Sequence, residues 1–68
     1  MEQDIRLNWE GIVEEAVKRR KQQGFTQHQL AILAGVSKPT LNQFEQGKPT
    51  ITIKTAMKIL GMLGLLKS

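Results

Sequence analysis

The chain has 68 residues, with ten Lys or Arg and six Asp or Glu, for a formal net charge of +4. A chain of this length forms one small domain, and a basic balance fits a nucleic-acid partner without proving one. It has no cysteine, which excludes a disulfide framework and fits a reducing, cytoplasmic compartment. No segment resembles a signal peptide or approaches the roughly 20 apolar residues of a membrane span, so we expect no membrane partner.

The chain begins with a polar lead, residues 1–7, which has no periodic pattern and which we expect to be mobile. Asn8 can then cap a first helix. Residues recur every three or four positions along it, at Trp9, Ile12, Val13, Ala16, Val17 and Arg20. Glutamates lie early in this helix and Lys18–Lys21 lie late, an order that complements the helix dipole. The same basic run also has a functional interpretation, in which Arg19 or Lys21 reaches a phosphate.

A second helix is predicted over about residues 26–34. Thr26 and Gln29 have the spacing of a capping box, in which a hydroxyl and a side-chain amide each satisfy a backbone N–H group. Gly35 supplies the permissive backbone conformation that lets the chain leave this helix and turn sharply.

A third helix is predicted over about residues 37–46. Ser37 is its cap, Pro39 lies in its first turn, and Leu41 and Phe44 give it an inward face. Two short helices joined by a tight turn that contains glycine are the sequence form of a helix-turn-helix. That geometry also occurs in proteins that bind no DNA, so spacing alone leaves the function open.

A fourth helix is predicted to begin after Thr52. Its expected inward residues are Ile53, Ala56, Met57, Leu60 and Leu63. The segment Ile59–Leu66 is almost wholly apolar, more than one helix face in a small monomer buries, and Ile32 and Leu33 are further surplus apolar residues. We therefore expect a partner interface in the tail, formed by Ile59, Met62, Leu63, Leu65 and Leu66. A homodimer is the simplest partner, and a different protein is the alternative.

The middle of the chain also carries a dense family pattern, in the stretch GFTQHQLAILAGVSKPTLNQFEQGK. It resembles the phage repressor and Cro-type (XRE, lambda repressor-like) helix-turn-helix family. The matching residues are Gly24, Phe25, Thr26, Gln27, Leu30, Ala31, Ala34, Gly35, Val36, Ser37, Leu41, Phe44, Glu45 and Gly47. The resemblance implies an all-α, compact domain of four to five helices over residues 8–66, which binds operator DNA, usually as a dimer.

The resemblance also implies a site, in which helix three reads base edges in the major groove. The expected base contacts are Ser37, Lys38, Pro39, Thr40 and Gln43. The expected contacts to the DNA backbone are Gln27, His28, Asn42, Gln46 and Lys48. Pro39 lacks a side-chain donor, so it either touches a thymine methyl or only stiffens the helix start. Simple solvation is the alternative for this polar helix face, and a plain surface position is the alternative for His28.

A structural ion pair is implied between Arg20 and Glu45, because the family pairs a basic residue at the end of helix one with this glutamate. Such a pair ties helix one to helix three and fixes the angle at which helix three is presented. Removing one partner of a buried pair costs about 3–5 kcal/mol.

The function implied by the resemblance is a sequence-specific double-stranded DNA-binding transcriptional regulator, and a repressor because no effector or activation domain is visible. The stretch GKPTITIKTAMKILGMLGL is also similar to antitoxins of the HipB type. The alternative is therefore a protein that binds a toxin partner and regulates its own operon. An enzyme is least favoured, because one His, no Cys and no phosphate-binding glycine loop offer no catalytic set. We expect no cofactor and no metal.

Overall fold

The computed structural model describes residues 8–66, and over that range the chain forms helices and no strand. The four helices are α1 (Trp9–Gln22), α2 (Gln27–Ala34), α3 (Lys38–Glu45) and α4 (Ile53–Met62). The predicted all-α class is confirmed, with four helices rather than five in the described range. The polar lead at residues 1–7 lies outside it.

Each helix begins behind a side chain that caps it. At α2, Thr26 Oγ1 accepts from the Gln29 N–H at 3.0 Å, and Gln29 Oε1 accepts from the Thr26 N–H at 2.9 Å. This is the complete capping box that the sequence predicts, and it satisfies two backbone donors at once. The caps of the other three helices are Asn8, Ser37 and Thr52.

The turn between α2 and α3 depends on Gly35. Its φ is +75°, a left-handed conformation that side chains disfavour. The Gly35 N–H donates to the Ile32 carbonyl at 3.2 Å, and the Val36 N–H donates to the Ala31 carbonyl at 3.0 Å. The carbonyl groups that end α2 are thereby satisfied, and α3 starts at Lys38, three residues after Gly35.

One core lies between all four helices. Its buried residues are Val13, Ala16, Leu30, Ala31, Ala34, Leu41, Phe44, Ala56, Ile59 and Leu63. The helix α2 packs on both α3 and α4, and α1 packs on α3. Phe44 is fully buried at the centre and meets the Trp9 ring edge-on, with ring centroids 5.6 Å apart. The fold therefore presents α3 on a base formed by α1 and α2.

The predicted inward face of α4 is wrong at two positions. Ile53 and Met57 are 75% and 52% exposed, whereas Ile59 is fully buried. Six of the ten residues of this helix are apolar, so the sequence does not define one stripe. Packing against α2 and the rest of the core instead buries Ala56, Ile59 and the C-cap residue Leu63.

The same packing corrects part of the predicted partner interface. Ile59 and Leu63 have 0% and 1% of their surface exposed, because both belong to the core of the domain. They are therefore unavailable to a partner in this fold. Met62 and Leu66 are exposed and Leu65 is half-buried, so the tail retains a smaller apolar surface formed by these three residues.

Candidate nucleic-acid interface

Arg20 and Glu45, the two residues expected to pair, form a bidentate ion pair between α1 and the last residue of α3. Arg20 Nε lies 2.7 Å from Glu45 Oε2, and Arg20 Nη2 donates to Glu45 Oε1 at 3.1 Å. The third guanidinium nitrogen donates to the Phe25 carbonyl at 2.9 Å. The side chains are only 12% and 8% exposed, so the pair is largely shielded from water. The two parallel hydrogen bonds fix the relative orientation of the two side chains.

Gln27 extends this pair into a network that reaches α2. Its Nε2 donates to Glu45 Oε1 at 2.8 Å and lies 3.4 Å from Asn42 Oδ1. The carboxylate of Glu45 thus accepts from α1 and from the first residue of α2. Because Asn42 Oδ1 faces Gln27, the Asn42 amide nitrogen is the end left for another acceptor.

The outward face of α3 is polar. Lys38, Pro39, Asn42 and Gln43 are exposed on it, while Leu41 and Phe44 point into the core. Gln27, Lys38, Pro39 and Asn42 line a shallow depression of about 360 Å³. The structure thus brings two of the expected base-contacting residues together with two of the expected backbone-contacting residues.

Ser37 and Thr40 are joined at the start of α3. The Ser37 hydroxyl accepts from the Thr40 N–H at 3.2 Å and donates to Thr40 Oγ1 at 2.8 Å. Capping therefore occupies the Ser37 hydroxyl, and the hydroxyl proton of Thr40 is the donor that remains for a ligand.

The other expected backbone contacts lie at separate points. His28 is in the first turn of α2, Gln46 caps the end of α3, and Lys48 follows the turn at Gly47. All three side chains are exposed, and none of them lines the depression.

The charge on this side of the domain is positive. Glu45 is the one acidic residue of the sequence after Glu15, and its carboxylate is held by Arg20. Lys38 and Lys48 are both exposed. The outward face of α3 and the turn that follows it therefore carry two lysines and several amides with no free carboxylate among them, which favours an anionic ligand.

Three hydrogen bonds between distant residues were not predicted. Trp9 Nε1 donates to the Gly47 carbonyl at 3.1 Å, which links the start of α1 to the turn after α3. The Leu63 carbonyl accepts from Arg19 Nη1 at 3.2 Å and from Gln23 Nε2 at 3.1 Å. Arg19, which the sequence offered as a phosphate contact, thus bonds the end of α4. The N–H group of a half-buried indole such as that of Trp9 usually finds an acceptor, but no sequence signal says which carbonyl supplies it.

None of the helices within residues 8–66 combines the length and the apolar character of a membrane span. In the same part of the chain, no three His, Cys, Asp or Glu side chains are grouped so that they hold a metal ion.

Similarity to known proteins identifies the family. A family model described as helix-turn-helix matches residues 18–66. An uncharacterized HTH-type transcriptional regulator from Haemophilus influenzae is 34% identical over 53 residues, which cover 78% of this chain and 54% of that protein. The chain thus spans about half the length of this relative. The four-helix fold, in which α2 and α3 form a capped helix-turn-helix, and these matches together show that the chain belongs to the XRE-type, lambda repressor-like helix-turn-helix family.

Proposed function

We propose that the protein is a sequence-specific, double-stranded DNA-binding transcriptional regulator, and that it represses by occupying promoter DNA and excluding polymerase. One observation carries this proposal. The polar face of α3 is exposed and free of unpaired carboxylates, while the Arg20–Glu45 pair holds the helix from behind. A rigid helix with amide and ammonium groups outward suits the major groove. The description of the H. influenzae relative as a transcriptional regulator supports the same conclusion.

We assign base readout to four side chains of α3, of which Lys38, Pro39 and Gln43 are exposed and Thr40 is half-buried. Gln43 presents an amide that bonds adenine through two hydrogen bonds, and Lys38 donates to guanine. Thr40 offers its remaining hydroxyl proton and its methyl group, while Pro39 supplies an apolar contact for a thymine methyl. Ser37 contributes by fixing Thr40 rather than through a free hydroxyl of its own.

Contacts to the DNA backbone position α3 in the groove. The Asn42 amide nitrogen and the N-terminal N–H groups of α2 at Gln27 and His28 donate to phosphate oxygens. Gln27 holds Asn42 and Glu45 in place with its side chain, so its own contact to DNA comes from the backbone. Lys48 and Gln46 add donors beyond the end of α3.

A homodimer would place two copies of α3 in successive major grooves, about 34–36 Å apart. The reduced tail surface of Met62, Leu65 and Leu66 is the apolar surface that we assign to this contact. Leu65 and Leu66 also line an open groove of about 520 Å³ together with Ile12 and Leu60, which widens the apolar area available.

The proposal is tested by selecting bound duplexes from a random library at about 150 mM salt, where non-specific phosphate binding is already weak. An enriched inverted repeat supports a sequence-reading dimer and gives the half-site spacing. If the folded protein enriches no sequence, the proposed function is wrong.

An antitoxin-like protein is the second candidate, favoured by apolar side chains that the tail does not include. Ile32 is 65% exposed on α2, and Ile53 and Met57 are exposed on α4. A toxin partner would cover such residues. Sedimentation of the pure protein, read together with the duplex selection, separates the homodimeric regulator from the antitoxin-like protein. A dimer in sedimentation supports self-association. A monomer in sedimentation, with a single half-site enriched in the selection, supports a missing protein partner.

A further inference from the structure

The turn after α3 is fixed at one peptide group, the one that joins Gly47 to Lys48. The Lys48 N–H donates to the Gln43 carbonyl at 3.2 Å, on α3 itself. The Gly47 carbonyl accepts from Trp9 Nε1 at 3.1 Å, on α1. Both polar groups of this peptide are therefore bonded to helices. Its orientation sets the direction in which the chain leaves α3, and Lys48 is the residue that follows.

The donor in this contact is itself held by the core. The indole of Trp9 is half-buried, and its ring meets fully buried Phe44 at 87°, edge to face. Trp9 is also the first residue of α1, directly behind the Asn8 cap. An indole anchored by its ring has little freedom, so its N–H group points at one carbonyl. In contrast, Lys48 is exposed and carries a long flexible side chain.

We propose that Trp9 is a positioning residue for DNA binding, which holds the Gly47–Lys48 peptide so that the Lys48 ammonium group meets a phosphate beside α3. This inference rests on the proposed function. Without the indole N–H, the Gly47 carbonyl turns to water and the turn samples other orientations. Lys48 must then be ordered when DNA binds, and this entropy cost weakens the affinity for DNA. Trp9 contacts no DNA in this scheme and acts only through Lys48.

The test is a double-mutant cycle with Trp9→Phe and Lys48→Ala, measured by anisotropy of a labelled duplex at several salt concentrations. Phenylalanine keeps an aromatic ring against Phe44 and removes the N–H donor. We expect Lys48→Ala to lower the salt slope by about one unit. Trp9→Phe alone should weaken binding by about 3- to 10-fold, the range of one lost hydrogen bond. In the Lys48→Ala background the same change should have less than about a twofold effect.

A structural role alone predicts a different result. If Trp9→Phe weakens binding by the same factor with and without Lys48, Trp9 does not act through Lys48 and the proposal is overturned. Lys58→Ala is the matched control, because it also removes one exposed lysine. Trp9→Phe should keep its full effect in that background. If Trp9→Phe does not fold, β-(3-benzothienyl)alanine at position 9 keeps the two fused rings and lacks only the N–H group.

Amide hydrogen exchange at Lys48 without DNA separates this proposal from the function on which it rests. Faster exchange in Trp9→Phe than in the wild type supports the hold on the turn, and unchanged exchange refutes it. If the wild type binds no duplex at any salt concentration while exchange still responds to Trp9→Phe, the proposed function and the phosphate contact fail but the hold on the turn stands.

Discussion

Glu45→Ala removes the carboxylate through which α3 is bonded to both α1 and α2. Arg20 Nε, Arg20 Nη2 and Gln27 Nε2 all donate to the Glu45 carboxylate. The substitution leaves the Arg20 guanidinium, whose side chain is 12% exposed in the wild type, with one hydrogen bond, to the Phe25 carbonyl. Removing one member of a buried pair costs about 3–5 kcal/mol, and the slight exposure of this pair favours the lower end.

A loss of about 3 kcal/mol is large for this chain. Stability of roughly 0.05–0.15 kcal/mol per residue gives about 3–10 kcal/mol in total for a chain of this size. At about 4–8 °C per kcal/mol, the Tm should fall by roughly 12–24 °C. Urea unfolding followed by Trp9 fluorescence measures the free energy, because Trp9 is the single tryptophan and packs on Phe44.

Two further variants show whether the lost stability of Glu45→Ala comes from the uncompensated charge of Arg20 or from the lost side-chain volume. Glu45→Gln keeps one oxygen acceptor and should lose less stability than Glu45→Ala. The pair Arg20→Met with Glu45→Leu removes both charges together and should be more stable than Glu45→Ala alone, since no charge is left uncompensated. A Glu45→Ala unfolding free energy within about 0.5 kcal/mol of the wild type would refute the structural importance of the pair.

Three other substitutions address the site, the turn and the tail. Gln43→Ala should cost about 1–3 kcal/mol of binding and relax preference at one base position, measured by competition between duplexes; equal weakening on all duplexes contradicts base readout. Gly35→Ala should lower the unfolding free energy by roughly 1 kcal/mol, since alanine is strained at the φ of +75°; an unchanged urea midpoint argues against that strain. Met62→Glu with Leu66→Glu should give a monomer in sedimentation, whereas Ile53→Glu should not.

Local chemistry explains why much of this fold was predictable. A cap acts on a backbone group two or three residues away, so Thr26, Ser37 and Thr52 mark helix starts that the structure places one residue later. The turn at Gly35 is local in the same way. The Arg20–Glu45 pair spans 25 residues and came instead from the family resemblance, since periodicity gives no partner for a basic residue.

Tertiary packing decided what the sequence left open. In α4 most positions are apolar, so the pattern was compatible with several buried faces, and contact with α2 selected one of them. The Trp9–Gly47 and Arg19–Leu63 hydrogen bonds join residues 38 and 44 positions apart. Many carbonyl groups offer equivalent acceptors to such side chains, and only the folded geometry distinguishes them.

The hydrogen bonds from α1 lie at one end of α3, away from the side chains to which we assign base readout. Trp9 and Arg20 lie 11 residues apart, about 16 Å along the helix, yet both hold the end of α3, at Gly47 and at Glu45. The first turns of α3 carry no side-chain hydrogen bond to α1 in the described structure. Substitutions at residues such as Lys38 and Gln43 should therefore leave the hydrogen bonds from Trp9 and Arg20 intact. Under the proposed function, sequence preference and fold stability depend on different residues of this one eight-residue helix.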